Sequence, residues 1–204
     1  MSHLVTTLSA LETLYGEVGE ASRVKETDRI VPVYRALIEA SPFAVLATCG
    51  PEGLDCSPRG DEPGFVRVAD DKTLLLPDRR GNNRIDSLRN IVRDPHVALL
   101  FLIPGVGETL RVNGRAQIST DPALLGSFSV DGKAPKTVLS IAVEEVFFQC
   151  SRALVRSDLW NPDKRVARQA LPSAGQILAA LSEGRTGGEA YDKALPERVK
   201  QTLH

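Results

Sequence analysis

The hydrophobic pattern of the chain is helical over the first 42 residues and strand-like after them. Apolar side chains recur at helical spacing after Ser9, which fits a capping box with Glu12. A second helix is predicted from about residue 27 to residue 40, where a proline follows shortly after. Its predicted buried stripe consists of Val33, Leu37 and Ile38. We therefore expect residues 1–42 to form a helical lead-in.

From residue 43 the pattern is that of short strands separated by turns. Apolar or alternating runs are bounded by Gly, Pro and Asp, which is typical of antiparallel strands. The predicted strands are 43–48, 54–59, 65–68, 73–76, 96–103, 108–120 and 136–149. The first four follow one another closely and predict a meander. The fifth is apolar throughout, which predicts burial on both of its faces.

Helical spacing returns in three places after the strands begin. One helix is predicted at about 83–93, between the fourth and fifth strands, and a short one follows Pro122. Residues 163–204 read as a helical tail in which Ser173 is a cap. A bend is expected at Gly114, inside the long sixth strand. The pattern lacks β–α–β alternation, so we predict a mainly β fold with flanking helices, closed as a barrel to hide its strand edges.

Composition and charge exclude several classes of protein. The chain has 204 residues and a net charge of −1, which fits one domain and disfavours a nucleic-acid binder. No apolar run approaches the ~20 residues that span a bilayer, and the N-terminus lacks the pattern of a signal peptide. Three cysteines without such a signal favour reduced thiols in the cytoplasm, with small buried cysteine as the preferred interpretation. The histidines are far apart, so a metal site has little support.

A basic and amide-rich segment at 79–84 precedes the helix predicted at 83–93. Its sequence is Arg-Arg-Gly-Asn-Asn-Arg. A helix start offers unpaired N–H groups and a positive dipole end, so cationic side chains there favour a phosphate site. A solvated loop with an Asn cap explains the same residues, and the segment alone does not decide between the two.

Two further segments have a functional and a structural interpretation. At 57–61, Arg59 could donate to a ligand oxygen, Gly60 could let a flat ligand approach the backbone, and Asp61 could accept from a ring N–H. An ordinary Asp-containing turn explains them as well. At 110–115, Arg111 shares a strand face with Asn113, which is either a solvated outer face or the wall of a polar pocket.

Taken in order and spacing, these segments resemble the pyridoxamine 5′-phosphate oxidase-like family of FMN-binding split barrels. The resemblance rests on the strand–turn–strand from Phe43 and on residues 57–61, 74–79, 81–84, 94–101, 109–116 and 150–160. It covers about residues 28–162 and points to a bacterial subgroup of FMN-dependent enzymes without an assigned substrate. It implies a six-stranded antiparallel split β-barrel over 43–162, with the tail 163–204 part of the same single domain.

The resemblance assigns cofactor-binding roles to several residues. It implies that Arg59 and Gly60 flank the flavin ring or its ribityl chain, and that Asn83 and Arg84 hold the FMN phosphate. This phosphate position coincides with the anion site expected from the residues alone.

The resemblance also implies a homodimer that binds two FMN molecules at the subunit interface. In that arrangement Thr109 and Arg111 reach the flavin across the dimer, and Arg156 and Trp160 close its pocket. The family's pyridoxamine phosphate oxidases carry an Arg-Leu-His stretch after the last strand, whereas this chain has Arg152-Ala153-Leu154 and no histidine there. Oxidation of pyridoxamine phosphate itself is therefore not expected.

The sequence thus predicts an FMN-dependent oxidoreductase that acts on a small molecule by hydride transfer through flavin N5. No side chain is singled out as an acid or base. Two alternatives stay open. One is a flavin-binding protein without turnover, and the other is a split-barrel reductase that uses the deazaflavin F420 or haem.

Overall fold

The computed structural model, which describes residues 3–203, contains one seven-stranded antiparallel sheet. Its strands are β1 (Phe43–Gly50), β2 (Gly53–Gly60), β3 (Arg67–Asp70), β4 (Thr73–Asp78), β5 (His96–Leu102), β6 (Thr109–Ser119) and β7 (Thr137–Gln149). They are hydrogen-bonded in the order β2-β1-β5-β6-β7-β4-β3. Among the described residues no ladder joins β2 to β3, so the sheet is not closed by backbone pairing. This departs from the predicted six-stranded barrel, whereas the mainly antiparallel sheet with flanking helices is confirmed.

The predicted meander of the first four strands is wrong at its centre. β1 pairs with β2 and β3 pairs with β4, but these two hairpins lie at opposite edges of the sheet. β5 pairs with β1, and β7 pairs with β4. Turn signals specify a hairpin because they are local, whereas the position of a hairpin in the sheet depends on pairing with strands far along the chain.

Eight helices accompany the sheet in the described part of the chain. They are α1 (Leu8–Tyr15), α2 (Glu20–Arg23), α3 (Pro32–Ala40), α4 (Asp86–Arg93), α5 (Pro122–Ser127), α6 (Arg152–Ser157), α7 (Ala174–Leu181) and α8 (Gly188–Gln201). None of residues 3–203 belongs to a helix that is both long and apolar enough to cross a membrane. The predicted starts of the two N-terminal helices were wrong. Thr7, not Ser9, caps α1, and α3 begins at Pro32 rather than near residue 27.

The core lies between one face of the sheet and helices α3 and α4. Tyr34 and Ile38 of α3 are buried there with Ile91 of α4, whereas Val33 is 70% exposed, contrary to the predicted stripe. Along β5 burial alternates: Phe101 is 1% exposed and its neighbour Leu100 is only partly buried. The prediction of burial on both faces was therefore wrong, since an apolar run does not show which face is covered.

Gly114 marks the bend of β6, as the sequence predicts. The register of β6 against β7 shifts between Asn113 and Gly114, which is a β-bulge. A Cβ on Gly114 would lie 2.2 Å from the carbonyl oxygen of Ala142 on β7. The bend therefore depends on the absence of a side chain at this position, because the two backbones approach too closely for one.

Candidate functional site

A cavity of about 880 Å³ opens at one end of the sheet. Its walls come from β2, from the end of β4 with the segment 79–88 that follows, and from the segment 133–137 that leads into β7. Leu203 contributes to the wall from the C-terminal end of the chain. The volume is in the range of small-molecule and cofactor sites, roughly 300–1,000 Å³.

Arg59 of β2 is held in place on the wall of this cavity. Its Nη1 donates to Asp78 Oδ1 at 2.5 Å, and its Nη2 donates to Ser87 Oγ at 3.4 Å. The Ser87 hydroxyl in turn donates to Asp55 on the same strand as Arg59. The Nε of Arg59 is buried and has no partner among the described residues. The guanidinium is thus oriented by its neighbours and retains one unused donor.

Thr137, at the start of β7, supplies a second unused polar atom. It lies opposite Asp78 in the β4–β7 register and lines the same cavity. Its Oγ1 is buried and has no hydrogen-bond partner among the described residues. Because most buried polar atoms in proteins are hydrogen-bonded, two lining residues that each hold an unpaired one make this part of the cavity the candidate place for a polar ligand.

The turn before α4 has a strained backbone. Asn83 and Ile85 adopt φ values of 60° and 54°, and a left-handed conformation is costly for a β-branched residue such as Ile85. Ile85 occupies the cap position of α4 and makes no side-chain cap bond. The Asn N-cap considered from the sequence is therefore wrong, and α4 begins at Asp86. The exposed Arg84 side chain reaches over this turn and donates from Nε to Asp86 Oδ2 at 2.7 Å.

Positive charge exceeds negative charge around the cavity. Six lining residues are cationic and three are acidic; the cations are Arg59, Arg79, Arg80, Arg84, Lys133 and Lys136, and the acids are Asp55, Asp78 and Asp86. All three acids accept hydrogen bonds from cavity residues. The excess charge is suited to an anionic ligand such as a phosphate ester.

Gly60 lines the cavity, whereas Asp61, the next residue, does not. A Cβ on Gly60 would lie 3.3 Å from the carbonyl oxygen of Pro42, so this glycine packs close to the start of β1. The Asp61 carboxylate accepts from Arg79 Nε at 2.8 Å. Arg79 Nη1 also donates to the carbonyl oxygen of Phe128 at 2.7 Å. A role for Asp61 at a ligand stays a prediction, and the structure adds a role in fixing the loop after α5.

The other predicted residues lie outside the cavity of this single chain. Arg111 Nη2 donates to Glu145 Oε1 at 3.0 Å, and its guanidinium stacks 4.2 Å from the ring centre of Phe147. Its Nε is buried without a partner among the described residues. Thr109 Oγ1 lies 3.3 Å from Gln149 Oε1 at the same end of β6.

Arg156 and Trp160 belong to the segment after β7. Arg156 is exposed on α6, and Trp160 is half-buried, with its Nε1 donating to the carbonyl oxygen of Val106 at 2.8 Å. Neither Arg156 nor Trp160 is on the cavity wall. Of the predicted site residues, the chain brings Arg59, Gly60, Asn83 and Arg84 to one cavity.

Sequence reasoning missed part of the cavity and misjudged the cysteines. The sequence predicts Lys136 and Thr137 only as the start of the last strand and assigns no role to Lys133, because nothing local links these residues to Asn83 and Arg84, about 50 positions earlier. Their one usable signal is the Lys-Ala-Pro-Lys charge pair itself. All three cysteines are free and exposed, so the interpretation as small buried cysteines was wrong. Cys56 is on the cavity wall.

Comparison with known proteins bears on this site. A family model described as pyridoxamine 5′-phosphate oxidase matches residues 30–150, more than half of the chain. The chain belongs to the pyridoxamine 5′-phosphate oxidase family. The match includes β2, the turn before α4, and β6, but it ends before α6 and the C-terminal helices. No curated protein matches the chain.

Solved structures with similar folds come from several bacteria. HupZ of Group A Streptococcus is 26% identical, covers 60% of this chain and 95% of its own, and has a TM-score of 0.49. General stress protein 26 of Bacillus anthracis is 17% identical and has a TM-score of 0.42. The match covers 55% of this chain and 88% of that protein. A third structure is a protein from Clostridium acetobutylicum that is related to general stress protein 26, of the pyridoxinephosphate oxidase family. It is 18% identical, with a TM-score of 0.43, and the match covers 56% of this chain and 84% of that protein.

Proposed function

We propose that this protein is an FMN-dependent oxidoreductase acting on a small molecule, with FMN bound in the cavity beside Arg59. The observation that carries the proposal is that two residues lining a cationic cavity, Arg59 and Thr137, each hold a buried polar atom without a partner among the described residues, Nε and Oγ1 respectively. Family membership supplies the chemical class, because this family includes flavin-binding oxidoreductases.

The residues present fit an FMN molecule. Its phosphate is suited to the turn of Asn83 and Arg84, where uncapped helix amides and a guanidinium favour a dianion. Its polar flavin edge and ribityl hydroxyls are suited to Arg59, Gly60 and Thr137, which offer the two unused polar atoms and a residue without a side chain. A volume of about 880 Å³ accommodates a ligand of this size.

The chain's own residues bind and orient, and the cofactor supplies the redox chemistry, including acceptance of hydride at flavin N5. Arg59 is pre-oriented by Asp78 and Ser87, so its donor is placed before a ligand arrives. Arg84 neutralises phosphate charge. We assign no acid or base among the described residues, which is consistent with a reaction in which positioning dominates.

We further propose that the protein acts as a homodimer with FMN at the subunit interface. Arg111 supports this extension, because its buried Nε is unpartnered although the residue lies outside the cavity of its own chain. In the dimer, Thr109 and Arg111 of one protomer would face the cavity of the other, and Arg156 and Trp160 would close the pocket. Light scattering on the FMN-loaded protein tests the oligomeric state, and a monomeric holoprotein would contradict the extension.

An absorption spectrum of the purified protein tests the main proposal. We expect oxidised flavin bands, and we expect the supernatant after heat denaturation to contain a chromophore that behaves as FMN in chromatography. Absence of a chromophore, together with failure to retain added FMN, would contradict the proposal.

A flavin-binding protein without turnover is the second candidate. It is favoured by the cavity wall, which has no histidine among the described residues and uses its acids in hydrogen bonds with its own side chains. Steady-state oxidation of NADH or NADPH by the FMN-loaded protein distinguishes this candidate from an enzyme, because a protein without turnover gives no such oxidation.

The absorption spectrum of the purified protein also tests F420 and haem, which absorb differently from FMN. For haem, Cys56 is the one side chain of the usual axial-ligand types on the described wall.

A further inference from the structure

The C-terminal helices form a rigid hairpin outside the region matched by the family model. α7 and α8 are joined by residues 182–187, and their backbones approach closely where both sides carry glycine. A Cβ on Gly175 would lie 2.3 Å from the carbonyl oxygen of Gly188, and one on Gly187 would lie 2.4 Å from that of Gly175. A larger residue at either position would separate the helices, so the hairpin has one tight geometry.

Asp192 ties the two helices together by hydrogen bonds. Its carboxylate accepts from the Ser173 hydroxyl at 2.5 Å and from the backbone N–H of Gly175 at 2.7 Å. Ser173 also forms a complete capping box with Gln176 at the start of α7. The start of α7 and the first half of α8 are thereby fixed to each other.

This hairpin ends at the cavity. α8 ends at Gln201, and Leu203 lies on the same cavity wall as Arg59, Asn83 and Arg84. Leu203 is 59% exposed, so its side chain is not part of the core. More than half of the other lining residues carry charged or polar side chains. An apolar side chain at this place limits the space beside the ligand without competing for its polar groups.

We propose that Leu203, positioned by the α7–α8 hairpin, is a specificity-determining residue that restricts which second reactant reaches the bound cofactor. This inference rests on the proposed FMN site. It assigns to the C-terminal hairpin the function of a wall that admits small planar molecules and excludes bulkier ones. Neither the family match nor the cofactor-binding residues account for this segment.

The first test measures access to the flavin without turnover. Acrylamide quenching of FMN fluorescence is compared between the native protein, Leu203→Ala, Leu203→Trp and the control Leu181→Ala. Leu181 is on the same hairpin, is 82% exposed and does not line the cavity. We expect the quenching constant to rise in Leu203→Ala, to fall in Leu203→Trp and to stay unchanged in the control.

The second test measures size selectivity. The loaded protein is reduced with dithionite and reoxidised by benzoquinone or by the larger menadione. We expect Leu203→Ala to shift the ratio of the two rate constants toward menadione by about tenfold, the lower range of a methylene-sized change in a pocket. Equal quenching and an equal ratio in Leu203→Ala and Leu181→Ala would overturn the inference while leaving the FMN site intact. Failure of the native protein to retain FMN would overturn both.

Discussion

Arg79 Nε lies 2.8 Å from Asp61 Oδ2, in an ion pair whose side chains are only 17% and 9% exposed. Arg79 continues to the carbonyl oxygen of Phe128, a residue that is 2% exposed. The pair therefore connects the turn after β2 with the loop after α5, and this loop leads to the two lysines of the cavity wall. The ion pair contributes to the shape of the site, because the two charges neutralise each other.

Asp61→Asn is expected to lower the free energy of unfolding by about 1.5–3 kcal/mol, since the neutral amide leaves the mostly buried Arg79 guanidinium without its counter-ion. Arg79→Gln should cost a similar amount, and the double variant should cost less than the sum of the two. Urea denaturation measures all three. Additive losses would show that the two side chains do not interact. A parallel FMN titration of Asp61→Asn tests its predicted contact with the cofactor.

Arg84→Ala is expected to weaken FMN binding by about 1.5–3 kcal/mol, the range of a charge-assisted hydrogen bond to phosphate. Stability should change little, because Arg84 is exposed and its partner Asp86 is near the surface. The matched control is Arg89→Ala, an exposed arginine on the same helix that does not line the cavity. Fluorescence titration measures the affinity of each variant for FMN. Equal affinities of Arg84→Ala and Arg89→Ala would contradict the proposed contact between Arg84 and the phosphate.

Arg111→Glu is expected to release flavin, because it places a negative charge beside Glu145 where the dimer would present a donor to the cofactor. Arg115→Glu is the control, since Arg115 is exposed on the same strand and contacts His96 instead. Flavin content after purification is the measurement. A fully loaded Arg111→Glu variant would place this residue on an outer wall of the protein.

Gly114→Ala is expected to destabilise the fold by about 1–3 kcal/mol, the usual cost of overpacking. The new Cβ would meet the backbone of β7 at 2.2 Å, which no side-chain movement relieves. Gly126→Ala is the comparison, because Gly126 lies in α5 with open space around it and should gain stability, by roughly 0.5–1 kcal/mol. Thermal and urea unfolding measure both, and a neutral Gly114→Ala would argue against the bulge.

The C-terminal hairpin should loosen at low pH. The hydrogen bond from the Ser173 hydroxyl, followed by that from the Gly175 backbone, holds the pKa of Asp192 below its ordinary value of 3.8. A depressed pKa stabilises the folded state above the ordinary value, and this stabilisation is lost as the pH falls below 3.8 through the folded-state pKa. The hydrogen-exchange protection factors of α7 and α8, normalised to the intrinsic exchange rate at each pH, should therefore decrease in this range in the native protein and show no such transition in Asp192→Asn.

Local chemistry determined much of the architecture. The strands, the bend at Gly114 and the cap at Ser173 all follow from interactions within a few positions of one another, and so does the prediction of an anion site at residues 79–84. The order of the strands, the open edges between β2 and β3 and the exposure of Val33 do not, because they depend on which surfaces meet after the chain has folded.

The candidate site divides in the same way. Arg59, Asn83 and Arg84 are recognisable in the sequence because each belongs to a short motif that a polar ligand explains. Thr137, the lysines at 133 and 136, and Leu203 enter the site only through tertiary structure, since the β4–β7 pairing and the α7–α8 hairpin carry them across 50 to 140 residues of chain. A sequence specifies what its neighbouring residues can do together; the pairing of distant strands and helices decides which of them share one cavity.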